Sequence, residues 1–135
     1  IVKLILKFIF KKAPPKLPHE IALEEIEAAS KQFAAGGEVK DYYVRISDAV
    51  RRYIERVFSL KAPEMTTQEF LISLSGSSKL QAAHKGLLVI FMEACDLVKF
   101  AKYKPARNDI ESVFNTAKKF IEESKEAYMK KEAPA

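Results

Sequence analysis

The sequence predicts an all-α fold: a helical bundle of four longer helices plus one short helix, preceded by an apolar, basic N-terminal arm. Three observations predict it. Apolar residues recur at steps of three and four in each long segment, the period of a helix with one buried face. No stretch alternates apolar and polar residues as a half-buried strand would. Capping residues, glycines and prolines punctuate the chain at helical lengths. At 135 residues the chain has the size of one domain with a core of its own.

The organising element is 38–58, EVKDYYVRISDAVRRYIERVF, with Val39, Tyr42, Tyr43, Ile46, Val50, Tyr53, Ile54 and Val57 on one face. On the other face Asp41 precedes Arg45 and Asp48 precedes Arg52 by one turn, acid first, the favourable order. Free of Pro and Gly, the segment makes roughly 30 Å of helix at 1.5 Å per residue.

In chain order, the opening IVKLILKFIF is strongly apolar but too short for a helical membrane span, which needs about twenty residues. Lys3, Lys7, Lys11, Lys12 and Lys16 are the charged residues of 1–16 and account for the whole formal excess of +5, so the rest of the chain is formally neutral. Two readings follow. The arm is the cytoplasmic end of a transmembrane helix, its lysines obeying the positive-inside rule, or an amphipathic helix packed on the domain or on a membrane surface. The charge asymmetry favours a membrane-proximal arm. No small-residue cleavage site follows the apolar run, so a signal peptide fits poorly. The chain opens at Ile1 without methionine, as a fragment or a processed product would. The prolines of 13–18 make a stiff linker. This places the arm and linker at 1–17, the helical domain at 18–128 and a frayed tail at 129–135.

Pro18 suits a first helical turn, and the first helix spans 18–34 with Ile21, Ala22, Ile26, Ala29 and Phe33 inward. Glu20, Glu24, Glu25 and Glu27 crowd its early turns, where carboxylates suit the helix dipole, and Gly36 with Gly37 ends it. The central helix stops near Ser59, because Pro63 biases Ala62 away from helical geometry. Thr66 with Glu69 reads as a capping box opening a short helix through Leu74, and Ser78 with Gln81 repeats the signal. The fourth helix, 80–102, carries the seam Leu80, Ala83, Leu87, Phe91, Ala94 and Val98. Its middle, 87–92, is apolar all round, which predicts a core helix covered on more than one side. After Pro105, Asn108 with Glu111 offers a cap for a fifth helix, with Ile110, Val113, Phe114, Ala117, Phe120 and Ile121 inward, fading after Tyr128.

The chemical inventory is thin. A single cysteine, Cys95, leaves no internal disulfide. His19–Glu20 fails as a zincin motif, since Leu23 stands where the second histidine belongs. His84 and Cys95 share a helix face but lie about 16 Å apart along the axis, too far for a base and its nucleophile. Cys95 reads as a small buried hydrophobe. The glycine-containing stretches 36–40 and 75–79 lack phosphate-loop spacing and read as helix connectors. The sequence therefore points to no catalytic residue, metal or cofactor and to no small-molecule substrate.

Two constellations remain. Arg45, Arg52 and Arg56 lie nearly in line along the central helix with Arg51 beside them. Asp41, Asp48 and Glu55 balance them as on a solvated face, while the functional reading is a docking strip for an acidic partner or anionic headgroups. A DNA- or RNA-binding regulator using the same arginines is the alternative, and the neutral body weighs against it. The second constellation is Asp96, on the side of the fourth helix away from the Leu87–Phe91–Val98 seam. If that side is covered too, an arginine of the central helix is its natural partner in a structural ion pair.

The phrases PHEIALEEIE (18–27), YVRISDAVRRYIE (43–55), MTTQEFL (65–71) and DLVKFA (96–101) together resemble the cytoplasmic part of bacterial inner-membrane proteins of the aerotolerance, BatD-like type. The resemblance covers about residues 10–125, and the phrases at 51–53 and 96–100 are its most specific parts. It brings no catalytic motif. It implies a position just inside a transmembrane helix, at the cytoplasmic face of the inner membrane. It also implies genomic company with MoxR-type AAA+ ATPases and von Willebrand A-domain proteins. The expectation is a non-enzymatic interaction domain of an envelope-associated assembly, docking such a partner. The large periplasmic part of BatD-like proteins has no counterpart in this sequence.

Overall fold

Helix periodicity along the chain becomes, in a computed structural model that describes residues 16–78 and 80–132, the all-α bundle the sequence predicts. The elements are α1 (Pro18–Ala34), α2 (Val39–Phe58), a 3-10 turn (Ala62–Glu64), α3 (Thr67–Ser75), α4 (Ala82–Phe100) and α5 (Arg107–Glu132). Of the arm and linker expected at 1–17, residues 1–15, with Lys3, Lys7, Lys11 and Lys12, lie outside the described residues, as do residues 133–135. Lys16 is described, and its ammonium pairs with Glu24 of α1 at 2.8 Å in an exposed position. Among the described residues no helix is long and apolar enough to cross a membrane.

The spine is α2. It packs against α1, α4, α5 and the 3-10 turn, and α1 closes against α5, α4 against α5 and α3 against α4. The face read from its spacing is the face that is buried: Tyr42, Tyr43, Ile46, Val50, Tyr53, Ile54 and Val57 all lie in the core. Each large apolar side chain buried there contributes roughly 1.5–3 kcal/mol. Ser47, Ala49 and Arg51 are buried as well, so neighbours enclose most of the circumference of α2. Aromatic edges set its contacts with the last helix. The Tyr53 ring meets Phe120 edge-on at 5.9 Å, and at the other end Phe33 of α1 stacks on Tyr42 at 5.1 Å.

Terminators act where the sequence placed them, with local differences. Gly36, at φ 109, adopts the left-handed conformation that lets the chain reverse between α1 and α2. Ser59, not glycine, takes the left-handed position after α2 (φ 55), and its N–H closes on the Glu55 carbonyl at 3.0 Å. The Thr66–Glu69 capping box forms in both directions, at 3.1 and 3.0 Å. At α4 the cap is Gln81, without a side-chain bond, so the helix begins at Ala82 and not at Leu80. At α5 the acceptor for the orphan amide is Asp109 instead of the expected Asn108–Glu111 pair. Its Oδ2 accepts from the Ala106 N–H and the Tyr103 hydroxyl, each at 2.8 Å. Both bonds hold the Asp109 carboxyl below its ordinary range. The helix then runs to Glu132, past the expected fade at Tyr128.

The largest departure concerns α4. Its buried residues are Leu88, Phe91, Met92, Cys95 and Val98, while Ala83 is exposed and Leu87 and Ala94 are only part-buried. The buried stripe is therefore turned about one residue from the expected seam. With six apolar residues in a row at 87–92, spacing does not select one stripe, and contact with α2 and α5 does. α4 packs against α2, α5 and α3, so it is covered on more than one side as expected, but one face stays open: Ile90 and Leu97 point outward, 61% and 49% exposed.

Candidate partner-binding site

Arg51 organises this region. A guanidinium has five donors in a fixed fork, and burying one requires acceptors around it. Arg51, 5% exposed, finds them in the chain that follows α2. Its Nη1 donates to the carbonyls of Ala62 and Met65 at 3.0 and 2.9 Å, and Nη2 donates to Thr67 Oγ1 at 2.8 Å. The Phe70 ring centroid lies 5.8 Å from Cζ, within cation–π range. Nε has no partner. One side chain thus ties α2 to the 3-10 turn and to the start of α3.

Over this knot lies an open cleft of about 450 Å³. Asp48 and Arg51 come from α2, Met65, Thr66, Thr67 and Gln68 from the entry to α3, and Asp96, Lys99 and Phe100 from the last turns of α4. Asp48 and Asp96 are both half-buried, and neither takes part in an ion pair among the described residues. Phe100 is 75% exposed, and the Lys99 ammonium lies 5.1 Å from its ring centroid. Cys95, next to Asp96 in the chain, is fully buried. Burial pushes its thiol up to about 12, with Asp96 adding to the rise and Lys99 and Arg51 opposing it. A thiol held protonated in this way is not a nucleophile near neutral pH.

The expected arginine strip divides into separate environments. Arg51 is buried in its knot, with both terminal nitrogens engaged by backbone carbonyls and Thr67, and does not lie on an exposed strip. Arg52 is half-buried and pairs with Glu25 of α1. Arg45 and Arg56 remain exposed, with Arg45 edging a shallow depression beside Gln32, Glu38 and Asp41. A phosphate backbone following this helix would thus meet two arginines and not four. The expected bridge between Asp96 and an arginine of α2 does not form. Arg51 is the arginine that lines the same cleft, but the neutral acceptors of the 59–67 segment are nearer to its guanidinium.

Spacing alone did not single out Thr67 or Phe100. Thr67 looks like an ordinary first-turn residue, and Phe100 like one more apolar position of a strongly apolar helix. Residues of 43–55, 65–71 and 96–101, distant in sequence, meet at this cleft, a convergence that spacing within one helix does not show.

Comparison with protein-family models, with curated proteins and with solved structures gave no match.

Proposed function

We propose that this chain is a non-enzymatic docking domain at the cytoplasmic face of a bacterial inner membrane, part of an envelope-associated assembly, and that the cleft over Arg51 receives its protein partner. One observation carries the reading. Three segments distant in sequence converge on the cleft and leave there two half-buried carboxylates, Asp48 and Asp96, beside an exposed phenyl ring. Carboxylates without a counter-ion keep acceptors for a guest's basic side chain or backbone amides. An aromatic ring beside directional polar groups is the composition found at the centre of protein interfaces.

The family resemblance supplies the partner classes: a MoxR-type AAA+ ATPase or a von Willebrand A-domain protein. The lysines of residues 1–16 suit a position at an anionic membrane surface, where each contributes about 1 kcal/mol.

The test is a pull-down from native membrane extract with the chain and with Asp96→Ala/Phe100→Ser as bait. Among the described residues Asp96 holds no ion pair, and Phe100 is exposed, so the variant keeps the wild-type stability in urea within about 0.5 kcal/mol. Recovery of an ATPase or A-domain protein by the wild type, lost in the variant, is the expected result. Equal recovery by both moves the interface off the cleft, and recovery of no such protein by either overturns the docking role.

A further inference from the structure

A groove of about 160 Å³ runs between α4 and α5, and it shares no lining residue with the cleft over Arg51. Its walls are apolar: Ile90, Ala94 and Leu97 of α4 and Val113 of α5. An apolar space of this order holds a body about the size of benzene. Two groups without a full set of partners interrupt the walls. Tyr43 of α2 lines the groove and is only 1% exposed. Its hydroxyl makes no hydrogen bond among the described residues, whereas those of Tyr53 and Tyr103 bond to Ser124 and Asp109. A buried hydroxyl left so is costly until a ligand or water completes it. The second group is Asp109, the one charged residue of the lining. The Ala106 N–H and the Tyr103 hydroxyl both donate to its Oδ2, which leaves Oδ1 without a partner among the described residues. Those bonds favour the ionised carboxyl, while burial raises the Tyr43 phenol and Cys95 and Asp109 add to the rise. The groove thus presents a neutral hydroxyl and a carboxylate that interact electrostatically but are not bonded to each other.

We infer that this groove binds a primary ammonium carried on a small apolar body, with the nitrogen between the Tyr43 hydroxyl and Asp109 Oδ1 and the carbons against Ile90, Ala94, Leu97 and Val113. An ammonium has three donors and no acceptor, so it can serve both oxygens at once, and its charge strengthens each bond. A carboxylate ligand would meet the Asp109 charge, and a neutral alcohol would gain nothing from it. The apolar body would also shield Ile90 and Leu97, which are otherwise 61% and 49% exposed. The same chemistry belongs to a free amine and to the lysine side chain of another protein, whose methylene stem ends in an ammonium.

The test is an NMR titration of the isotope-labelled full chain at neutral pH. The probes are benzylamine, its neutral counterpart benzyl alcohol, and Nα-acetyl-lysine N-methylamide. Amide shifts at Tyr43, Ala94, Tyr103, Asp109 and Val113 report the groove. Benzylamine is expected to bind with a Kd on the order of 1 mM, at least about tenfold more tightly than benzyl alcohol. Tyr43→Phe keeps the ring and removes a hydroxyl that bonds to nothing in the domain, so its urea midpoint stays at or above that of the wild type. It nevertheless weakens benzylamine at least about fivefold. Asp109→Asn keeps an acceptor for Ala106 and Tyr103 and makes the amine and the alcohol bind alike. Either ammonium binding in this way supports the inference, and the tighter of the two tells a free amine from a protein lysine. No saturable shift from either at about 10 mM overturns it. So does benzyl alcohol binding as tightly as benzylamine to the wild type, or a folded Tyr43→Phe that binds benzylamine unchanged.

Discussion

Tyr53 and Ser124, separated by 71 positions in the chain, share a buried hydrogen bond of 2.8 Å between their hydroxyls. The Tyr53 oxygen also lies 3.3 Å from the Ile121 carbonyl, so the middle of α2 is fastened to the last buried turn of α5 among the described residues. Replacing Tyr53 with Phe removes the hydroxyl and leaves Ser124 to its weaker contact with Ile121. The expected cost is about 1 kcal/mol. Ser124→Ala costs a similar amount, and the double variant costs less than the sum of the two, a coupling that urea unfolding of all four chains measures.

The same tyrosine belongs to a group that sets the alkaline limit. Burial raises Tyr53 from 10.0 to about 12, against the lowering effect of its bond to Ser124. Burial likewise raises Tyr42 to about 12, and raises Tyr43 strongly. A raised folded-state value means that the neutral phenol is favoured in the native protein. Its contribution is complete below the unfolded value of 10.0 and is lost as pH climbs through the folded one. Stability should therefore fall between about pH 10 and pH 12, and Tyr53→Phe should flatten part of that fall. Urea midpoints across this range provide the measurement, and a flat profile would contradict the burial of these rings.

Arg51 and Arg56 differ by little more than one turn, yet opposite consequences are expected from their removal. Arg51→Met strips the carbonyls of Ala62 and Met65 and the Thr67 hydroxyl of their donor in a buried setting. The expected loss is about 3 kcal/mol, with the 3-10 turn and the start of α3 losing hydrogen-exchange protection first. Arg51→Lys recovers only part of it, since an ammonium lacks the planar fork. Arg56→Ala, at an exposed position, should stay within about 0.5 kcal/mol of wild type.

Cys95 is a probe of global opening. Its thiol is buried and raised to about 12, so a disulfide reagent at pH 8 should label native protein slowly, at a rate that rises only as urea populates the unfolded chain. Fast stoichiometric labelling without denaturant would show that α4 opens locally over the cleft.

Much of the fold was legible because it rests on local physics. The buried face of α2, the bounds of α1, the glycine turn at Gly36 and the Thr66–Glu69 box each follow from residues within a few positions of one another. Periodicity and capping are properties of a single helix, and a single helix is what a sequence window describes. The cap that differed is a short-range alternative: the helix opens two residues before the Asn108 cap would place it, and the aspartate at the third helical position reaches the Ala106 N–H.

What one sequence determined by itself was therefore the helices, their order, the neutrality of the body and the basic character of residues 1–16. Tertiary structure alone decided which stripe of α4 faces inward, since an all-apolar segment offers several and neighbouring helices choose among them. It also decided that Arg51 belongs to the interior while Arg45 and Arg56 belong to solvent. All three flank the apolar face of α2, Arg51 on one side and Arg45 and Arg56 on the other, and the 59–67 segment folds back over Arg51 and supplies the acceptors its charge requires. The cleft follows from the same event. Asp48, Thr67 and Phe100 are strangers in sequence and become neighbours only when that segment closes on Arg51.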